Sequence, residues 1–304
     1  MGTDEIMGRS RKVILSQWDE LRRLRSEVLK TSDIEAIHDL RVASRRFRAI
    51  VNLFEPWIPS KRAALLKKRS RKLTRLLGAL RNIDEALLFF RQHTPAGSGG
   101  GYQICRLLAK SRPGELERIK KGLKAFDARG LGRTVRKAAA GMEEARGADH
   151  GENSLQAYFS ATGLRLFQPI HDLLPLATSR DQHGPRHLLR IAIKKWRYFL
   201  EIAAPVLGAD AGKILGLLKE YQTILGRMND VAEFSPLCSS LELSRHERMF
   251  VERLLQNEDE LLLLKLTELI EQKPLTYTST FTLELAEEIP LLVPLVTRPP
   301  ERSQ

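Results

Sequence analysis

Residues 37–56, IHDLRVASRRFRAIVNLFEP, return 149 positions later as RHLLRIAIKKWRYFLEIAAP at 186–205. The copies align His38 with His187, Arg41 with Arg190, Arg45 with Lys194, Arg46 with Lys195, Phe47 with Trp196, Arg48 with Arg197 and Pro56 with Pro205. At about 100° per residue, a helix that sets His38 at 0° places Arg41, Arg45 and Arg48 at about 300°, 340° and 280°. Leu40, Ala43, Phe47, Ile50, Val51 and Phe54 fall on the opposite side, between about 120° and 220°. The second copy does the same, with His187, Arg190, Lys194 and Arg197 opposite Leu189, Ala192, Trp196, Phe199, Leu200 and Ala203. Each copy therefore predicts a helix with one core-forming stripe and one basic stripe.

Working outward, apolar residues at 14, 18, 21, 24 and 28 predict a helix over 6–30. Ser32, with Glu35 three residues on, reads as a capping box that opens the first motif helix, and Pro56 and Pro59 close it. A third helix is expected from 61 to 90, with Leu65, Leu66, Leu73, Leu76, Leu77, Leu80, Ile83 and Leu87 as its seam. HTPAGSGGG at 93–101 reads as a flexible loop. Helical pattern resumes over 102–129, with a break expected near Pro113-Gly114, and continues over 130–147. RGADHGEN at 146–153 suits a linker.

Beyond it the order repeats. A helix over 155–176, with Leu155, Tyr158, Phe159, Leu164, Leu166 and Ile170 apolar, is followed by the polar break TSRDQHGP and the second motif. Another helix is expected from about 209 to 226, ending in LGRMND at 225–230, which matches LGALRN at 77–82. A long acid-containing helix over 241–272 precedes a Pro-containing tail in which only 275–285 shows any strand-like alternation. The expected architecture is all-α: two pseudo-twofold-related four-helix bundles in one domain. Its parts are a strongly basic half at 1–150, a second half at 151–273 and a tail at 274–304.

The formal charge is +13, with 50 Lys and Arg against 37 Asp and Glu. It is lopsided: residues 1–150 hold 33 basic and 17 acidic side chains, residues 151–304 hold 17 and 20. This asymmetry points to an anionic partner engaged mainly by the first half. Lys68, Arg71, Lys72 and Arg75 crowd the third helix, where like charges at i, i+4 each oppose the helix by a few tenths of a kcal/mol, roughly. No stretch approaches about 18 uncharged apolar residues, so no membrane span is expected. The N-terminus lacks the apolar core of a secretory signal, and two cysteines are too few for a disulfide scaffold or a Cys-based zinc site. A cytoplasmic protein is the simplest expectation.

A row of cations at i, i+4 and i+7 suits a linear polyanion, since guanidinium forks grip phosphate oxygens and lysine supplies a mobile charge. If the halves face each other, the two stripes enclose a groove or pore. Neither histidine has a second ligand at i+3 or i+4 on its face, where arginine stands both times, so no metal is expected. No nucleophile elbow, glycine-rich phosphate loop or Cys/His pair is present, and no catalytic residue or cofactor is expected. Glu115, Glu117 and Lys120 approach the ExExK pattern of triphosphate tunnel enzymes, but the lysine is one place late and the context is helical rather than stranded. Nucleic acid is the competing partner. Aromatics are only 6% of the chain and occupy core positions, which leaves base stacking unprovided for.

HxxRVxxRRxR (His38 to Arg48) and HxxRIxxKKxRYxxE (His187 to Glu201) resemble the CHAD family, the conserved histidine α-helical domain. LGALRNID at 77–84 resembles that family's LGxxRDxD, and QTILGRMND at 222–230 its QxxLGxxND. The resemblance spans most of 8–272. It implies two four-helix subdomains around a basic surface that binds inorganic polyphosphate without hydrolysing it. The implied binding residues are His38, Arg41, Arg45, Arg46, Arg48, Lys68, Arg71, Lys72, Arg75 and Arg81 with His187, Arg190, Lys194, Lys195, Arg197 and Lys219. Asn82 departs from the family's aspartate, and lysines at 194 and 195 replace guanidinium forks in the second copy. No triphosphate tunnel domain accompanies the motifs, so a stand-alone binding or polyphosphate-granule-targeting module is implied.

Overall fold

In a computed structural model, described for residues 3–93, 99–144, 152–180 and 182–275, the chain is all-α. The helices in order are α1 (Thr3–Thr31), α2 (Ile34–Leu53), a 3-10 turn (Glu55–Trp57), α3 (Ser60–Leu76), α4 (Gly78–His93), α5 (Gly99–Lys124), α6 (Ala128–Glu144), α7 (Glu152–Leu173), α8 (His183–Leu207), α9 (Gly212–Ser239) and α10 (Arg245–Gln272). Among the described residues six α-helices precede the expected linker and four follow it, rather than four on each side. Most of the linker, much of the 93–101 loop and all of the tail beyond Leu275 lie outside the described residues, as does nearly all of the stretch at 275–285.

The apolar periodicity accounts for the core. Ile14, Trp18, Leu21, Leu24 and Val28 of α1 are buried, as are all six apolar-stripe residues of each motif copy. Trp18 packs on Phe47 and Phe167 on Trp196, with ring centroids 5.4 and 4.9 Å apart. One continuous apolar core extends from Ile6 to Leu275. The motif helices α2 and α8 pack on each other, and so do α4 on α9 and α5 on α10. Tyr158 of α7 donates its hydroxyl to Leu53 O at 2.7 Å, tying the start of the second half to the end of α2. Of the expected seam residues, Leu65 and Leu164 are instead exposed, because Leu66 and Phe167 take the inward positions of their turns.

Four boundaries differ from expectation for physical reasons. The helix expected over 61–90 divides at Leu77. Thr74 O, the acceptor that Gly78 N–H would use in a continuous helix, receives Arg41 Nη1 at 2.6 Å instead. Conversely, α9 does not stop at Gly226: Leu225, Met228, Val231, Phe234 and Cys238 are buried at helical spacing and carry it to Ser239. α5 runs through Pro113, where buried Leu108, Ile119 and Leu123 outweigh the lost backbone hydrogen bond. α8 likewise passes Pro205 and ends at Gly208, whose φ of 70° lets Ala209 N–H return to Ala204 O at 2.9 Å.

The cap of α2 is Asp33, whose carboxylate accepts from Ala36 N at 3.1 Å; Ser32 precedes it in the left-handed region at φ 58°. Replacing Asp33 by Ala should therefore cost about 1 kcal/mol of unfolding free energy. Replacing Ser32 by Gly should stabilise by up to ~1 kcal/mol, since glycine adopts that φ freely. Urea titration of both variants checks the assignment, and the opposite ranking would restore Ser32 as the cap.

Candidate functional site

The α2–α8 contact brings the two basic stripes together. Arg41, Arg45 and Arg48 of α2 are all partly buried, as are Arg190 and Lys194 of α8. Arg45 is the common neighbour: its charge acts on Arg41, Arg48, Arg190 and Lys194 alike. Its guanidinium carbon lies 5.9 Å from the centroid of the Tyr198 ring, within cation–π range. An open cavity of about 900 Å³ lies here between α2, α7 and α8. Arg45, Arg48, Arg190, Lys194, Lys195 and Tyr198 all line it.

Burial and mutual repulsion both disfavour charge in this cluster. Lys194 is pushed down to about 7, first by burial and then by Arg45, Arg190 and Arg81, against a smaller opposing pull from Asp230. Arg41 is brought down to about 10 by burial, then by Arg45 and Arg81. Arg48 and Arg190 are lowered by burial and then by Arg45. A guanidinium stays protonated under such shifts, so for the arginines they measure the cost of holding the charge. Arg190 Nε is buried without a hydrogen-bond partner.

Other expected residues are committed elsewhere. Arg46 donates through Nε and Nη2 to Glu201 Oε2 at 3.2 and 2.9 Å, while Arg197 donates to Glu201 Oε1 at 2.8 Å and to Gln222 Oε1 at 2.5 Å. One carboxylate thus holds a guanidinium from each motif copy. Arg81 makes a two-pronged bond to Asp230 at 2.7 and 2.9 Å. Against the pull of burial, those bonds and the Asp230 charge hold Arg81 above its ordinary range.

His38 and His187 are exposed and do not line the cavity; His187 Nδ1 lies 3.1 Å from Asn229 Oδ1. Lys68, Arg71, Lys72 and Arg75 are exposed on α3, with Arg71 and Arg75 close enough to act on Arg48. Lys195 is exposed at the cavity's edge, and Lys219 is exposed on α9 away from its lining.

Tyr198, Glu201 and Asp230 are site residues that the sequence reading left without a role. All three stand within its motifs, at RYxxE and ND. A carboxylate four residues after Arg197 on one helix face is the signal that an internal ion pair was present.

The fold and cavity define a class: an all-α protein with a cation-lined hollow between two related helices. The chain belongs to the CHAD domain family, whose model matches residues 12–238. Among solved structures, it is similar to the CHAD domain of the plant Ricinus communis, with a TM-score of 0.62 and 21% identity over 88% of each chain. It is also similar to PptA from Streptomyces chartreusis, with a TM-score of 0.60 and 16% identity over 88% of this chain and 97% of that one. At these identities the likenesses show the fold. No curated protein matches the chain, and no described helix is long and apolar enough to cross a membrane.

Two outcomes follow from the site. Replacing Glu201 by Ala leaves two partly buried guanidiniums without their shared partner and should cost about 1–3 kcal/mol, read from denaturant midpoints. By about pH 8 a Lys194 pushed down to about 7 is largely neutral in the free protein, and a bound anion favours its charged form. Binding should then take up a proton, and affinity should fall as pH rises from 7. Calorimetry at about pH 8 in buffers of different ionisation heat should show this uptake in the wild type and not in Lys194→Met.

Proposed function

We propose that this protein binds inorganic polyphosphate in the cavity between α2 and α8 and does not hydrolyse it. The observation that carries the reading is the group of partly buried basic side chains Arg45, Arg48, Arg190 and Lys194, the last of which a bound anion would hold in its charged form. Among the described residues, none of the four makes an ion pair. Such burial is costly unless an anion offsets it. A chain of phosphates supplies charge at every repeat, matching cations strung along two helices rather than gathered at one point.

The surroundings favour a binder over an enzyme. Among the described residues no Asp, Glu or His lines the cavity, and the nearby carboxylates of Asp230 and Glu201 are engaged by Arg81, Arg46 and Arg197. General acid–base chemistry there would fall to Lys194 and the tyrosines, without a carboxylate or imidazole to share it. Nucleic acid is a weaker fit: Tyr198 lies beside Arg45, but most aromatic side chains are buried in the core. In a cell, such binding would place the protein on polyphosphate deposits of the cytoplasm.

Labelled long-chain polyphosphate should bind the wild type with affinity that falls steeply with salt. Arg45→Ala/Arg48→Ala/Arg190→Ala should weaken it by about a hundredfold or more while far-UV circular dichroism stays unchanged. RNA at equal phosphate concentration should displace it poorly; efficient displacement would reduce the reading to general polyanion binding. Release of inorganic phosphate with a divalent metal would overturn the non-enzymatic assignment.

A further inference from the structure

A second open hollow, of about 1040 Å³, lies between α1 and α6 and shares no lining residue with the central cavity. One wall carries Arg129, Arg133 and Arg136, spaced i, i+4 and i+7 on α6, the same spacing as Arg41, Arg45 and Arg48 on α2. At about 100° per residue they fall within about 60° of one another, a straight row roughly 10 Å long. All three are exposed, and among the described residues they make no ion pair.

The facing wall is α1. Its two lining carboxylates are occupied, Asp19 by Arg22 at 3.3 Å and Glu27 by Arg23 at 2.8 Å. Among the described residues Arg25 has no carboxylate partner. Leu123 O accepts from its Nε and Nη2 at 2.9 and 2.7 Å, which fixes the guanidinium in place, and burial pushes it below its ordinary range.

Gly132 lies between Arg129 and Arg133 and is buried where α6 meets α1. A Cβ there would stand 3.1 Å from Trp18 Nε1, a buried N–H without a hydrogen-bond partner. Glycine therefore lets α6 approach the indole closely while the arginines stay outside. Among the described residues the hollow is thus lined by seven cations, Arg22, Arg23, Arg25, Lys30, Arg129, Arg133 and Arg136, against two carboxylates, with no aromatic side chain on its surface.

We infer that this α1–α6 hollow is a second anion site that takes a linear phosphate chain. A row of that length offers contacts to more than one phosphate group. The absence of aromatic lining favours a polymer recognised by charge alone over one with bases to stack. Like charges at i, i+4 on α6 oppose the helix unless an anion neutralises them. The inference stands on these residues and does not depend on the ligand proposed for the central cavity.

Short-chain polyphosphate, titrated calorimetrically into the full chain, tests it. The wild type should take up two chains, Arg129→Ala/Arg133→Ala/Arg136→Ala one, Arg45→Ala/Arg190→Ala one, and the combined variant none. The first variant should also bind long polymer about tenfold more weakly and with a shallower salt slope. The charge-keeping Arg129→Lys/Arg133→Lys/Arg136→Lys should recover part of that loss. Because the three arginines are exposed, circular dichroism should be unchanged. A stoichiometry of one in the wild type that the α6 variant leaves intact overturns the second site; loss of RNA binding without loss of polyphosphate binding overturns its ligand. Retention of both chains in Arg45→Ala/Arg190→Ala would instead count against the central cavity alone.

Discussion

The structure depends on how cations are kept beside one another at the seam of α2 and α8. Charges of one sign repel, and burial removes the water that would screen them. The same two helices that carry those charges are held by their opposite faces. Phe47, Ile50, Phe54, Trp196, Phe199 and Leu200 are all nearly fully buried. Each such side chain contributes about 1.5–3 kcal/mol on leaving water, so the two apolar stripes offset a large electrostatic cost. The folded state therefore tolerates the cluster because the helices that hold it cannot separate without exposing the core.

The repeat is used differently in its two copies. Arg41 reaches the end of α3, takes Thr74 O and divides α3 from α4. The guanidinium is favourably placed there, since the last carbonyls of a helix are unsatisfied and partly negative. Arg190, its counterpart, meets α9, which passes unbroken through Leu225 and Gly226 and frees no carbonyl of that kind. Its Nε is left buried without a partner. One copy has turned its first arginine into a structural cap, and the other has left the Nε of its first arginine without a hydrogen-bond partner. Helical spacing alone could not distinguish these roles, because it places Arg41 and Arg190 at the same angle.

That contrast shows what was legible in the sequence. Which faces of α1, α2 and α8 would be buried follows from apolar spacing, a local property that each helix carries in its own residues. The two basic stripes followed from the repeat, while their convergence was conditional on the two halves facing each other. The passage through Pro113 and the extension of α9 to Ser239 rest on apolar spacing within each helix that outweighs its proline or glycine, whereas the break at Leu77 was not legible, because Arg41 of another helix decides it. The same holds for Arg46 and Arg197. They read as ligand contacts until Glu201, on the far side of the repeat from Arg46, is seen between them. A charged residue on a helix face reports its angle; whether it is already neutralised is a matter of tertiary contact.

The carboxylates sort the cations into two kinds. Arg46, Arg81 and Arg197 are held by Glu201 and Asp230, and each of these bridges joins segments from the two halves or braces one that does. Arg45, Arg48, Arg190 and Lys194 face the cavity without such partners. Adding a carboxylate there would stabilise the isolated protein by relieving repulsion, yet it would also cancel the attraction that an incoming anion feels. A charge cluster left unneutralised inside a well-held scaffold is thus costly to the free protein and favourable to the complex. The paired guanidiniums brace that scaffold, while their neighbours, without an ion pair among the described residues, keep their charge on the cavity.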